Sequence, residues 1–148
     1  MHQTDGDMVP QLQLLLDRQE IDLVVTRLYQ LIDARDTSRF GDYVVPELAG
    51  GMAQGMQQMM GWSCTQHIIS DRDIVVDGNS ATMRANFIGT SIGPQIANRS
   101  ADSFEAEGRE QYAVRGRYEF QFARTAAGWR ISNIDVQYLW TTGAPLAG

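Results

Sequence analysis

The sequence predicts an α+β domain in which N-terminal helices pack on a curved antiparallel sheet. Two observations carry this. Over residues 10–34 apolar side chains recur at three- and four-residue spacing, the period of a helix with one buried stripe. From residue 63 onward alternation with period two takes over, most clearly over 112–124. Helices gathered on one side of an antiparallel run make an α+β domain, and a sheet curled around the first helix closes into a cone.

Residues 1–9 read as a flexible tail and 10–148 as one domain, a length that supports a single core. Pro10 suits a first helical turn. Leu12, Leu15 and Leu16 lead into Ile21, Val24, Val25, Leu28, Leu31 and Ile32, with Gln19-Glu20 marking a possible bend between one helix and two. Asp36 is a plausible N-cap for a short second helix carrying Phe40, Tyr43 and Val44, which Pro46 ends. After Gly50-Gly51, Met52, Met56, Met59 and Met60 share the face of a third short helix, stopped by Gly61.

The rest is strand-like. Residues 63–70 and 73–77 precede the turn Asp77-Gly78-Asn79, a hairpin signal. Over 80–91, Ala81, Met83, Ala85 and Phe87 oppose Thr82, Arg84 and Asn86. Residues 89–110 are rich in Gly, Ser, Asn and acids, the composition of a lid, binding loop or disordered segment. Two long strands follow. Val114, Gly116, Tyr118, Phe120 and Phe122 face one way; Arg115, Arg117, Glu119 and Gln121 face the other. The turn Thr125-Ala126-Ala127-Gly128 places a glycine where a hairpin needs positive φ, and residues 129–140 return. Two strands bury too little to stand alone, so the helices must cover their aromatic face.

Composition narrows the function. With 12 Lys+Arg against 18 Asp+Glu, the net charge of −6 argues against nucleic acid or an anionic membrane as partner. Neither a signal peptide nor a long apolar span is visible, and one cysteine, Cys64, allows no intramolecular disulfide. A cytoplasmic protein is expected. One usable histidine and one cysteine cannot fill a tetrahedral metal site, and no phosphate-loop motif is present, so no cofactor and no metal are expected.

Several short motifs recur in a telling order. They are Arg18-Gln19-Glu20-Ile21, Leu31-Ile32-Asp33-Ala34-Arg35-Asp36, Gln66-His67-Ile68-Ile69, Val76-Asp77-Gly78-Asn79-Ser80-Ala81, Gly116-Arg117-Tyr118 and Gly128-Trp129-Arg130-Ile131. In this order they resemble the SnoaL-like branch of the nuclear transport factor 2-like (NTF2-like) superfamily. The resemblance covers residues 18–140 and implies the cone-shaped NTF2-like fold. That fold hosts dehydratases, isomerases, cyclases, dehydrohalogenases and non-catalytic binders, so it does not settle activity. In the branch of scytalone dehydratase, bile-acid dehydratase and lindane dehydrochlorinase, an aspartate at the end of the first helix orients a strand histidine that acts as base. The matching positions are Asp33 and His67. Two departures stand out. Relatives often carry a tyrosine five residues before that aspartate, where this chain has Leu28, with Tyr29 one step of about 100° away. The segment between Pro46 and Met52 is too short for the customary small strand.

His2 lies in the tail, so a histidine-dependent mechanism must use His67. A carboxylate on one ring nitrogen fixes the tautomer and stabilises the imidazolium, which suits removal of a proton beside a carbonyl or leaving group. The alternative is a satisfied core histidine, with Asp33 ending a helix beside solvent. Tyr118 is a candidate third catalytic residue, its hydroxyl donating to a developing oxyanion, or else core. Tyr29, Met56, Met60, Trp62, Phe87, Phe120 and Trp140 are the candidate lining of an apolar pocket, or else plain packing. Cys64 lies three residues from His67 and so faces the other side of a strand. The expected chemistry is a cofactor-independent lyase or isomerase acting on a small hydrophobic ligand. The alternative is a binding or accessory protein. The resemblance adds a homodimer or homotrimer joined through the sheet.

Overall fold

A computed structural model describes residues 5–58, 61–62, 64–93 and 111–143. Helix α1 spans Asp5–Ala34, a 3-10 helix Thr37–Asp42 and helix α2 Pro46–Gln58. Four strands follow: β1 Cys64–Asp77, β2 Ser80–Ile92, β3 Gln111–Thr125 and β4 Gly128–Gly143. They pair antiparallel in sequence order. Helices on one face of an antiparallel sheet are the expected α+β arrangement.

Three helix boundaries differ from expectation. The tail is shorter, because α1 already runs at Asp5, with Pro10 inside it. It is also unbroken at Gln19-Glu20: Glu20 turns outward and accepts the Trp129 N–H at 3.0 Å, so the polar pair needs no bend. Pro46 opens α2 rather than ending a helix, since its missing N–H is no loss in a first turn. Gly50 and Gly51 lie within α2, where an added Cβ would meet nothing within 4 Å. This helix fills the stretch too short for a strand. Asp36 caps as expected, though onto a 3-10 helix: its carboxylate accepts the Ser38 N–H at 3.1 Å.

Ile21, Val25, Leu28, Phe40, Val44, Met83, Phe120, Phe122, Trp129 and Ile131 are fully buried between helices and sheet. Leu12, Leu15 and Leu16 are not part of this stripe; they stand 55%, 62% and 51% exposed. At 100° per residue Leu12 and Leu15 point away from Ile21 and Leu28, so their three-to-four spacing belongs to a second face. The 3-10 helix and the start of α2 are pinned to β4 by Val45 N–H to Ile131 O and Ile131 N–H to Tyr43 O, each 2.9 Å.

Bulges set which side chains face the core. In β1 the register shifts between Ser70 and Asp73, so Asp71 and Arg72 together oppose Ala85. Asp71 takes up the extra residue at a φ of 52°. In β4 a shift leaves Leu139 between the pairs Gly116–Tyr138 and Arg115–Trp140. The glycines of both hairpin turns adopt positive φ, Gly78 at 60° and Gly128 at 106°. Residues 89–92 prove to be strand, and the expected loop at 94–110 lies outside the described residues.

Candidate active site: an aspartate, a histidine and two phenols

Asp33 sits in the last turn of α1, beside the first residues of β1. Its Oδ1 lies 2.7 Å from His67 Nδ1, and its Oδ2 accepts the His67 backbone N–H at 2.9 Å. Thr65 donates its hydroxyl to Oδ1 at 3.2 Å. One carboxylate therefore holds both the strand and the ring. A carboxylate can only accept, so Nδ1 carries the imidazole proton and Nε2 presents its lone pair. The His67 and Asp33 side chains are 13% and 25% exposed, sheltered but reachable. No hydrogen bond to Nε2 comes from any described residue.

Two phenols stand beside the imidazole. The Tyr29 ring centroid is 5.2 Å from His67 and 5.5 Å from Tyr118. Burial pushes the Tyr29 phenol well above its usual 10, and Tyr118, to which it donates a hydrogen bond, adds to the rise. Burial likewise lifts Tyr118 to about 12, against the lowering effect of the Tyr29 hydrogen bond. Near neutral pH both are donors rather than bases. Phe87 stacks on Tyr118 at 4.1 Å, and Phe120 meets Tyr29 edge-on at 6.2 Å. The Phe87 ring occupies space left by Gly116, where a Cβ would fall 2.6 Å from it.

The expected residues thus divide. Asp33, His67, Tyr29, Tyr118, Phe87 and Phe120 come together. Leu28 is fully buried, and its neighbour Tyr29 is the tyrosine that reaches the imidazole. Met56 and Trp62 are buried, with Trp62 stacked on Tyr112 at 6.2 Å and its carbonyl bonded to Arg35. Trp140 does not line the site. The extra residue at Leu139 turns it to the outer face, 55% exposed, where the Arg115 guanidinium sits 5.7 Å from its ring. Met60 lies outside the described residues. Two open concavities of about 560 and 440 Å³ lie against the outward-facing Asp71, Asn86 and Arg117, on the side of the sheet away from His67.

Two contributors escaped the sequence. Thr65, two residues before His67 on the same strand, was legible from period two. Gly89 pairs directly with His67; a Cβ there would lie 3.4 Å from His67 Cδ2 and 3.5 Å from Nε2. Its absence leaves space at the free nitrogen, but the register that places it depends on the β1 bulge.

Similar structures share this fold. One is the Kfla4162 protein from Kribbella flavida (19% identity, TM-score 0.72, covering 87% of this chain and 95% of that one). A second is hexachlorocyclohexane dehydrochlorinase LinA type 2 (16% identity, TM-score 0.70, 93% and 94% covered). A third is a candidate scytalone dehydratase from Novosphingobium aromaticivorans (13% identity, TM-score 0.66, 90% and 91% covered). At these identities the likeness is one of fold, and NTF2-like proteins are among the other matches. No curated protein matches the sequence significantly. The family model of the SnoaL-like domain matches residues 13–135, from the anchored part of α1 through the dyad to β4. The chain belongs to the SnoaL-like domain family and carries its NTF2-like α+β fold.

Proposed function

We propose that the protein is a cofactor-independent lyase or isomerase that moves a proton on a small hydrophobic molecule in the cytoplasm. The observation that carries this reading is the 2.7 Å contact between Asp33 and His67 Nδ1, which leaves Nε2 as an acceptor beside Gly89. His67 Nε2 removes a proton next to a carbonyl or leaving group. Asp33 holds the tautomer and stabilises the imidazolium as it forms. The Tyr29–Tyr118 pair offers a phenolic proton to an oxygen that gains charge. Dehydratases and a dehydrochlorinase among the similar structures fit elimination chemistry of this kind.

The test follows α-proton exchange in D2O and loss of water by NMR, on a panel of aromatic and alicyclic β-hydroxyketones. Wild type should exchange or eliminate at least one member, and His67→Gln should slow it by about 10²–10⁴-fold while ligand affinity persists. Turnover undiminished in His67→Gln sinks the dyad. A second reading, a binder that holds such a ligand without turnover, draws support from the mutual packing of Phe87, Tyr118, Phe120 and Tyr29. Saturable binding by wild type, with neither exchange nor elimination across the panel, would establish it. Self-association as a homodimer or homotrimer belongs to the same proposal.

A further inference from the structure

Among the described residues the buried polar and charged side chains, aromatic residues apart, are Asp17, Thr65 and Ser91, at 4%, 6% and 8% exposure. Asp17 is held by Arg124 and Trp129, and Thr65 donates to Asp33. The Ser91 hydroxyl alone bonds to no described residue. A hydroxyl drawn out of water without a partner destabilises a fold, and alanine in its place would not. No side-chain nitrogen or oxygen of the described residues is both sealed from solvent and unpaired. The Ser91 oxygen therefore stays within reach of a small molecule.

The strand register sets this hydroxyl beside the dyad. Ser91 pairs with Thr65 in β1, and Gly89, two residues earlier on the same face, pairs with His67. Ser91 is thus the diagonal neighbour of His67, about 7–8 Å away from backbone to backbone. Gly89 adds no side chain between them, and the atoms nearest an added Cβ there belong to His67 and Phe87. Tyr118 stands on the other side. It pairs with Ala85, so the phenol and the serine approach the imidazole from opposite directions along β2.

We propose that Ser91 is a specificity-determining residue whose hydroxyl donates to a second oxygen of the substrate, a role that rests on Asp33 and His67 acting as the proton-transfer pair. The reacting carbon stands about 3–3.5 Å from Nε2, and a serine donates over about 2.7–2.8 Å. The imidazole and the serine therefore meet atoms a few bonds apart in one molecule. One oxygen toward Tyr118 and another toward Ser91 flank the carbon that faces His67. That is the skeleton of a β-hydroxyketone, with its carbonyl at the phenols and its hydroxyl at Ser91. Ser91 orients that hydroxyl and transfers no proton. A simple ketone of the same shape leaves the serine unpaired, so the site discriminates by the second oxygen.

The test compares β-hydroxyindanone with indanone, which lacks the hydroxyl, by chemical-shift titration of the full-length His67→Gln protein, where the dyad cannot consume the ligand. The hydroxyketone should bind about 5–10-fold more tightly. Adding Ser91→Ala should erase that difference and leave the affinity for indanone unchanged. Ser91→Ala alone should melt at or above the wild-type temperature, because the hydroxyl it removes has no partner in the fold. The readout is affinity and not turnover, so the two readings fail separately. A wild type that eliminates nothing, beside a preference that depends on Ser91, sinks the dyad and keeps Ser91 as the specificity residue of a binding protein. Equal affinities for the two ketones, binding of neither, a preference that survives Ser91→Ala, or a lowered melting temperature each overturn the assignment of Ser91.

Discussion

Helix α1 grips the sheet with two aspartates, Asp17 near its middle and Asp33 in its last turn, and they are put to different uses. Asp17 is buried and receives both terminal nitrogens of Arg124, at 2.8 and 2.7 Å, and the Trp129 indole N–H at 3.1 Å. The Arg124 guanidinium also lies over the Trp129 ring at 4.4 Å. The hydrogen bond from Arg124 and that from Trp129 hold the Asp17 carboxyl down from 3.8 to about 2, against its own burial. An arginine never gives up its proton in such a setting, so this contact can only hold. Asp33 accepts three hydrogen bonds, and its partners are a hydroxyl, an amide and an imidazole. Only the last carries both a proton and a basic lone pair, which under the proposed function makes the same type of side chain on the same helix part of a proton-transfer pair. What distinguishes the clasp from the proposed catalytic pair is the partner and not the carboxylate.

The comparison can be broken most forcefully at Asp17. Asp17→Ala leaves the Trp129 N–H and most of the Arg124 guanidinium without an acceptor, and should cost about 3 kcal/mol in urea unfolding. The imidazole of His67 should be unaffected. If Asp17→Ala unfolds at the wild-type midpoint, the clasp is not structural. Acid gives the next effect. Because the Asp17 pKa is depressed on folding, its contribution of about 2 kcal/mol is present above pH 4 and is lost as pH falls toward 2. Thermal melts across that window should show a drop that Asp17→Asn abolishes.

At the other end the costs shrink and the consequences change kind. Asp33→Asn removes one of the two acceptor oxygens and should cost about 1 kcal/mol. The ¹⁵N spectrum of His67, read in a His2→Gln background, should lose its uniform Nδ1–H tautomer. A retained tautomer would mean that Asp33 does not set it. Smallest is Glu20→Gln, which weakens one exposed-side bond to the Trp129 amide and should cost less than about 1 kcal/mol.

Most of the architecture was legible because hydrophobic period and turn chemistry agree along the chain. The inward set Ala81, Met83, Ala85 and Phe87 and the opposite sense of Arg117 follow from alternation alone, and all four of the former are buried. Asp33 and His67 were visible as a pair through resemblance, not through periodicity. Counting strictly by twos back from the Gly78-Asn79 turn puts His67 on the outer face. The extra residue at Asp71-Arg72 reverses that count, and only the break between residues 70 and 73 hinted at it. In β4 two extra residues, Ser132 and Leu139, cancel, so counting by twos from Trp129 already sets Trp140 on the outer face. The exposed stripe of α1 was hidden differently, because Leu12, Leu15 and Leu16 keep helical spacing on whichever face they stand.

The irregularity in β1 has a consequence for how such a domain changes over generations. Losing one codon at Asp71 would leave the strands and their hydrogen-bond ladder largely intact, yet rotate everything before it by half a turn. Ile68 would enter the interior and the imidazole would leave it. For the proposed activity, a shift between catalyst and inert scaffold, in either direction, is therefore one insertion or deletion away, with no substitution at Asp33 or His67 required.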